Sequence, residues 1–160
     1  VTSSSSSNAS TSTTSTVPLS PAQSVSRFGS NANLVREIAS IYREKLATIA
    51  GIKPLIEKEG VESAYHLFPI SVTKEPVAKN RKLVFEALRA ENIGVQVHYI
   101  PVYQHPYYQK NVTADKKPEC PNADRFYSGE ISLPMFPAMT NKDIEDVVQA
   151  LEKISAELLT

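Results

Sequence analysis

No charged residue occurs before Arg27. All 17 basic and 17 acidic side chains lie between Arg27 and Thr160, at the density of an ordinary globular domain. The segment ahead of them reads VTSSSSSNASTSTTSTVPLS and has almost no apolar side chains. It cannot bury enough surface to offset the roughly 1–2 kcal/mol per residue that ordering a backbone costs. Residues 1–30 are therefore expected to form a disordered Ser/Thr-rich leader, and residues 31–160 a single domain. A flexible linker, an O-glycosylated stalk and an artefact of gene assembly all fit the leader's composition. It lacks the basic and apolar regions of a secretory signal. With Val1 where Met would stand, the chain is expected to be processed or a fragment.

The balance of charge gives no case for nucleic acid or an anionic membrane surface as partner. No run approaches the ~20 apolar residues of a membrane-spanning helix. The one cysteine, Cys120, excludes an internal disulfide and reads as an incidental surface thiol. His66, His98 and His105 lack a metal-ligand spacing, and no phosphate-loop, dinucleotide, nucleophile-elbow or zinc-protease motif is present. The triplets at Asn8 and Asn111 match the N-glycosylation pattern, which chance supplies often.

Hydrophobic spacing predicts a helix over 34–49, with Leu34, Ile38, Ile41, Tyr42, Leu46 and Ile49 on one face. Gly51 and Pro54 stop it. HLFPISV (66–72) reads as a strand, at an edge or with a bulge because of Pro69. A helix over 79–91 would face Leu83, Val84, Ala87 and Leu88 inward, and Asn92 and Gly94 stand where a positive φ is needed. GVQVHY (94–99) alternates as a strand, with Val95, Val97 and Tyr99 on one side and Gln96 and His98 on the other. A short helix over 122–129, a strand EISL (130–133) and a final helix follow. Thr140 and Asp143 form a capping box for that helix, Met139 and Ile144 a hydrophobic staple. Its buried stripe is Ile144, Val147, Val148, Leu151, Ile154 and Leu158. The sum is an α/β two-layer domain, a small sheet with antiparallel pairs and helices on one face.

The segment GVQVHYIPVYQHPYYQK (94–110) is dense in His, Tyr and Gln. Aromatic faces with polar tips suit a carbohydrate or nucleotide. They equally suit a strand end that packs its tyrosines on the sheet with their hydroxyls in water.

ENIGVQVHYIPVYQHPYY resembles the small-domain signature of the DegT/DnrJ/EryC1/StrS nucleotide-sugar aminotransferases: a Gly/Ile turn, a strand ending His-Tyr-x-Pro, then a Tyr-rich stretch. REIASIYREKLATIAGI (36–52), SAYHLFPISV (63–72) and EISLPMFPAMTNKDIEDVVQAL (130–151) are similar to other parts of that domain, in the same order. QVHY-x-P-x-YQ and FYSGEISLP bring the chain nearest to the altrosamine transaminases of pseudaminic acid biosynthesis. The resemblance implies the C-terminal small domain of a type I pyridoxal phosphate-dependent aminotransferase, cytoplasmic and homodimeric, that moves an amino group from glutamate to a UDP-keto-sugar. It places Gln96, Val97, His98, Tyr99 and Ile100 at the sugar nucleotide and gives Tyr65 and His66 structural roles.

The family's large domain, with its Schiff-base lysine and phosphate-binding residues, has no counterpart in these 160 residues. None of the eleven lysines lies in the family's lysine motif. The chain alone is thus expected to carry no catalytic residue, to bind no pyridoxal phosphate and to be inactive. Three readings stay open: an enzyme fragment, a non-catalytic sugar-nucleotide or protein-binding module on a tether, and a subunit that docks on a separate large domain. Because such a small domain packs against a large domain and a dimer mate, an uncovered apolar patch is expected on the domain alone.

Overall fold

The computed structural model describes residues 21–111 and 119–159. The expectation for the leader before residue 21 lies outside them, as do the glycosylation triplet at Asn8, most of that at Asn111, and Lys116 and Lys117. The first helix, α1 (Pro21–Leu46), starts well before Leu34, so Pro21–Ser30, expected as disordered leader, is helical. It ends at Leu46, and a turn carries the chain to β1 (Ile52–Pro54), a strand not foreseen. Then come β2 (Phe68–Val72), α2 (Val77–Ala90), a 3-10 turn (Val102–Gln104), α3 (Pro106–Asn111), α4 (Pro121–Gly129), β3 (Glu130–Leu133) and α5 (Asn141–Leu158).

The three strands make one antiparallel sheet in the order β1-β2-β3. Phe68, Ile70 and Val72 alternate onto one face, joined by Ile52 of β1 and by Ile131 and Leu133 of β3. There they meet the apolar stripes of α1, α2 and α5, with α5 against both other helices. The fold class is the expected one.

Pro69 nevertheless lies in the central strand, not at an edge or bulge. Leu55 donates its N–H to the Pro69 carbonyl, so the side of Pro69 without a donor faces β1, where β1 has already ended. The ladder to β3 is untouched, which is why the proline is tolerated.

Two helix stripes sit slightly rotated from expectation. In α1 the buried line is Val35, Ile38, Ala39, Tyr42 and Leu46, continued by Ile49, while Leu34 is exposed and Ile41 half-buried. In α2 it runs Asn80, Val84 and Leu88, with Leu83 exposed at its flank. An apolar face about 100° wide leaves such flanking leucines at the rim. Asn80 is buried because its side-chain amide donates to the Lys74 carbonyl (2.9 Å). Asn92 takes the expected positive φ (62°); Gly94 does not, since one left-handed residue completes the turn.

The final helix starts as expected, and Ile144, Val147, Val148, Leu151 and Ile154 are buried; Ala150 and Ser155 join them, while Leu158 is half-buried. Thr140 and Asp143 exchange the two hydrogen bonds of a capping box, Asp143 N–H to Thr140 Oγ1 (3.2 Å) and Thr140 N–H to Asp143 Oδ2 (2.7 Å). Replacing Thr140 with Ala should cost about 1 kcal/mol of stability, read as a lower urea midpoint at unchanged slope. The helix ends against the α1–β1 turn. Ser155 Oγ donates to the Ala50 carbonyl (2.7 Å), and Leu159 lies so close to Gly51 (φ 73°) that a Cβ there would stand 2.9 Å from the Leu159 Cβ.

Candidate functional site

The segment expected to hold the site, 96–100, lies where the chain returns from α2 to the free edge of β3. Val95 is fully buried and anchors the return. Gln96 pairs with Ser132 through both backbone bonds, Gln96 N–H to Ser132 O (3.2 Å) and Ser132 N–H to Gln96 O (2.8 Å). That single bridge is all that remains of the strand expected over 94–99. Val97 and His98 are half-buried, whereas Tyr99 is 72% exposed and so does not share the side of Val95. The peptide between His98 and Tyr99 is cis. The His98 ring stands edge-on to Tyr99, centroids 4.6 Å apart. Ile100 is exposed. Of the five residues, Gln96, Tyr99 and Ile100 are exposed and Val97 and His98 half-buried.

Glu130 holds this strand end from below. It is the first residue of β3, 1% exposed, and has no ion pair among the described residues. Its Oε2 accepts the His98 backbone N–H (2.9 Å) and its Oε1 the Ser132 hydroxyl (2.6 Å). His98 Nδ1 is buried and, among the described residues, has no hydrogen-bond partner.

Downstream, Asp124 on α4 fastens the Tyr-rich stretch. Its Oδ1 accepts from the Tyr103 hydroxyl (2.9 Å) and the Gln104 side-chain amide (2.6 Å). Local desolvation, then Asp124, pushes the Tyr103 phenol up to about 12, so it stays a donor at neutral pH. Tyr107 and Tyr108, edge to face at 5.3 Å, lie exposed on α3. His105 is exposed beside them, and Cys120, half-buried, precedes α4. Among the described residues no three His, Cys, Asp or Glu side chains gather as a metal site.

A second cluster was not foreseen. A groove of about 500 Å³ runs between α1 and the 55–69 segment, lined in part by Leu55, Ile56, Val61 and His66. At its side Arg43 donates to Glu57 Oε2 (2.9 Å) and to the Tyr65 hydroxyl, which itself donates to the same Oε2 (2.8 Å). The Tyr65 bond, followed by the Ser63 N–H, holds the Glu57 carboxyl below the usual range. Desolvation and then Glu57 push the Tyr65 phenol up. Tyr65 (φ 45°) is therefore bound into a polar knot, while His66 is exposed. Residues Leu55, Ile56 and Val61 leave an apolar surface beside it.

A small antiparallel sheet backed by helices in this arrangement recurs in about a third of the length of solved sugar aminotransferases. Helicobacter pylori PseC, an aminotransferase involved in the biosynthesis of pseudoaminic acid, superposes with a TM-score of 0.75 at 24% identity, over 85% of this chain and 36% of that one. The chain belongs to the DegT/DnrJ/EryC1/StrS aminotransferase family, whose profile matches residues 23–152. Among curated relatives, the uncharacterized protein MJ1066 of Methanocaldococcus jannaschii is 43% identical over 122 residues, which is 76% of this chain and 31% of that protein. The UDP-4-amino-4,6-dideoxy-N-acetyl-beta-L-altrosamine transaminase of Campylobacter jejuni is 35% identical over 118 residues, 74% of this chain and 30% of that enzyme. The chain spans about a third of the length of these relatives.

Pyridoxal phosphate, the cofactor of this family, is held through a lysine made nucleophilic by desolvation or a cationic neighbour. The described residues do not fit that role. Every described lysine except the half-buried Lys74 is exposed. Hydrogen bonds to Asp146 and to Glu91 hold the Lys142 and Lys153 ammonium groups above the ordinary lysine range, which disfavours the neutral amine. Among the described residues no helix is long and apolar enough to cross a membrane.

Proposed function

We propose that this chain is the C-terminal, substrate-side domain of a nucleotide-sugar aminotransferase that moves an amino group from glutamate to a UDP-4-keto-6-deoxy sugar. In this reading residues 31–160 are the small domain, Gln96, Val97, His98, Tyr99 and Ile100 touch the sugar nucleotide, and the whole enzyme is a cytoplasmic homodimer. The observation that carries it is the anchored, exposed edge at 96–100, where a fixed backbone presents an aromatic face and polar tips. Such a surface stacks on a sugar or base and hydrogen-bonds in defined directions. The names of the family's curated members, with UDP-sugar substrates among them, support the substrate class.

The electron sink belongs to the cofactor, and a lysine suited to hold it is expected on the large domain. The chain alone is therefore inactive and binds no pyridoxal phosphate covalently. Titration of the 160-residue chain with UDP-N-acetylglucosamine, followed by NMR, should shift the Gln96–Ile100 amides at millimolar ligand. No shift there sinks the binding assignment. Incubation with pyridoxal phosphate and borohydride should leave no specific lysine adduct. One stoichiometric adduct would overturn the division of labour.

A further inference from the structure

We propose that Glu130 is the positioning residue of the 96–100 segment: its buried carboxylate replaces a missing rung of the sheet and sets where His98 and Tyr99 stand. The inference rests on the reading of that segment as the sugar-nucleotide contact. Gln96 and Ser132 face each other as a doubly hydrogen-bonded antiparallel pair. Such pairs recur two residues along each strand, so the next would be His98 with Glu130. That backbone rung is not made. The His98 N–H turns instead to the Glu130 side chain (2.9 Å), and the chain leaves the sheet there.

The second carboxylate oxygen is fixed by the Ser132 hydroxyl (2.6 Å), whose own backbone holds Gln96. Gln96, His98, Glu130 and Ser132 thus form a closed bracket around the turning point. A carboxylate 1% exposed with no cation beside it among the described residues is costly unless donors satisfy it. Here the donors belong to Ser132 and to the segment being placed. Charge-assisted bonds of this kind are about twice as strong as neutral ones, enough to keep the peeled strand end in one geometry.

The test uses the 160-residue chain and two substitutions, Glu130→Gln and Glu130→Ala. Glutamine keeps an acceptor oxygen for His98 but not the charge; alanine removes both. Well below each variant's melting temperature, hydrogen-exchange protection of the His98 amide should fall about tenfold in E130Q and further in E130A. Its proton resonance should move upfield in the same order. Affinity for UDP-N-acetylglucosamine should follow, with E130Q between the unsubstituted chain and E130A. A loss of global stability alone would not single out the His98 resonance or produce this ranking. If either glutamate variant does not fold, Ser132→Ala, which frees only Oε1, should still lower His98 protection severalfold; unchanged protection there overturns the proposal. If the unsubstituted chain binds the sugar nucleotide and the variants match it in both affinity and His98 protection, the role of Glu130 is wrong and the site assignment stands. If the unsubstituted chain does not bind, the site assignment itself fails and the proposal with it.

Discussion

Tyr42→Ala will remove about 3–5 kcal/mol of stability, the range for deleting a fully buried aromatic ring. Against a typical total of about 5–15 kcal/mol, that brings the domain close to unfolding. Tyr42 is completely buried on α1 and packs on Phe68 of β2 with ring centroids 5.0 Å apart. Its hydroxyl donates to the Pro134 carbonyl (3.1 Å), just beyond β3. One side chain therefore ties the first helix, the central strand and the Leu-Pro turn together. Tyr42→Phe keeps the ring and loses only the hydrogen bond, for about 1 kcal/mol. Urea unfolding separates the two variants.

The same residue sets an alkaline limit. Burial, and then Asp143, pushes the Tyr42 phenol well above the tyrosine range. A group raised on folding gives stability that is complete below its unfolded pKa, about 10, and is lost as pH rises from there towards the folded value. The chain should weaken progressively above pH 10, and Tyr42→Phe should weaken less steeply. Equal slopes for the two proteins would remove Tyr42 as the cause.

Gly129→Ala is expected to cost about 1–3 kcal/mol, the usual penalty for an added methyl with nowhere to go. A Cβ at Gly129 would lie 2.7 Å from the Val72 carbonyl oxygen and 3.0 Å from Val77 Cγ1. The first neighbour is backbone in the central strand, so α4 or β2 must move. Glu130 follows directly, so the shift should reach the site: the Gln96–Ile100 amides should move in the NMR spectrum although none of those residues is altered. A variant with wild-type stability and an unchanged spectrum would show that α4 yields freely.

Which features were legible from residues alone follows from how local their causes are. The capping box at Thr140 and the α5 stripe from Ile144 to Ile154 depend on contacts three and four residues apart, and both stand as read; only Leu158, at the helix end, is half-buried instead of buried. Pro69 was misplaced because its tolerance depends on where another strand, β1, stops. Leu34 and Leu83 were misplaced because a helix face is chosen by its partners, not by its own spacing. The 94–99 alternation is real for Val95 and Gln96, but from His98 onward the chain follows a glutamate 32 residues away. Glu130 itself left one visible mark, a charge opening the strand run EISL. The Arg43–Glu57–Tyr65 knot left none, since its members come from three unrelated stretches.

The seam between Ser155 and Ala50 joins positions 105 residues apart, and Leu159 presses on the Gly51 turn beside it. On the ribosome, α1 and the first two strands emerge well before α5, whose apolar stripe completes their shared core. The core therefore cannot close fully before α5 is translated, and a shorter nascent chain leaves part of its apolar surface exposed.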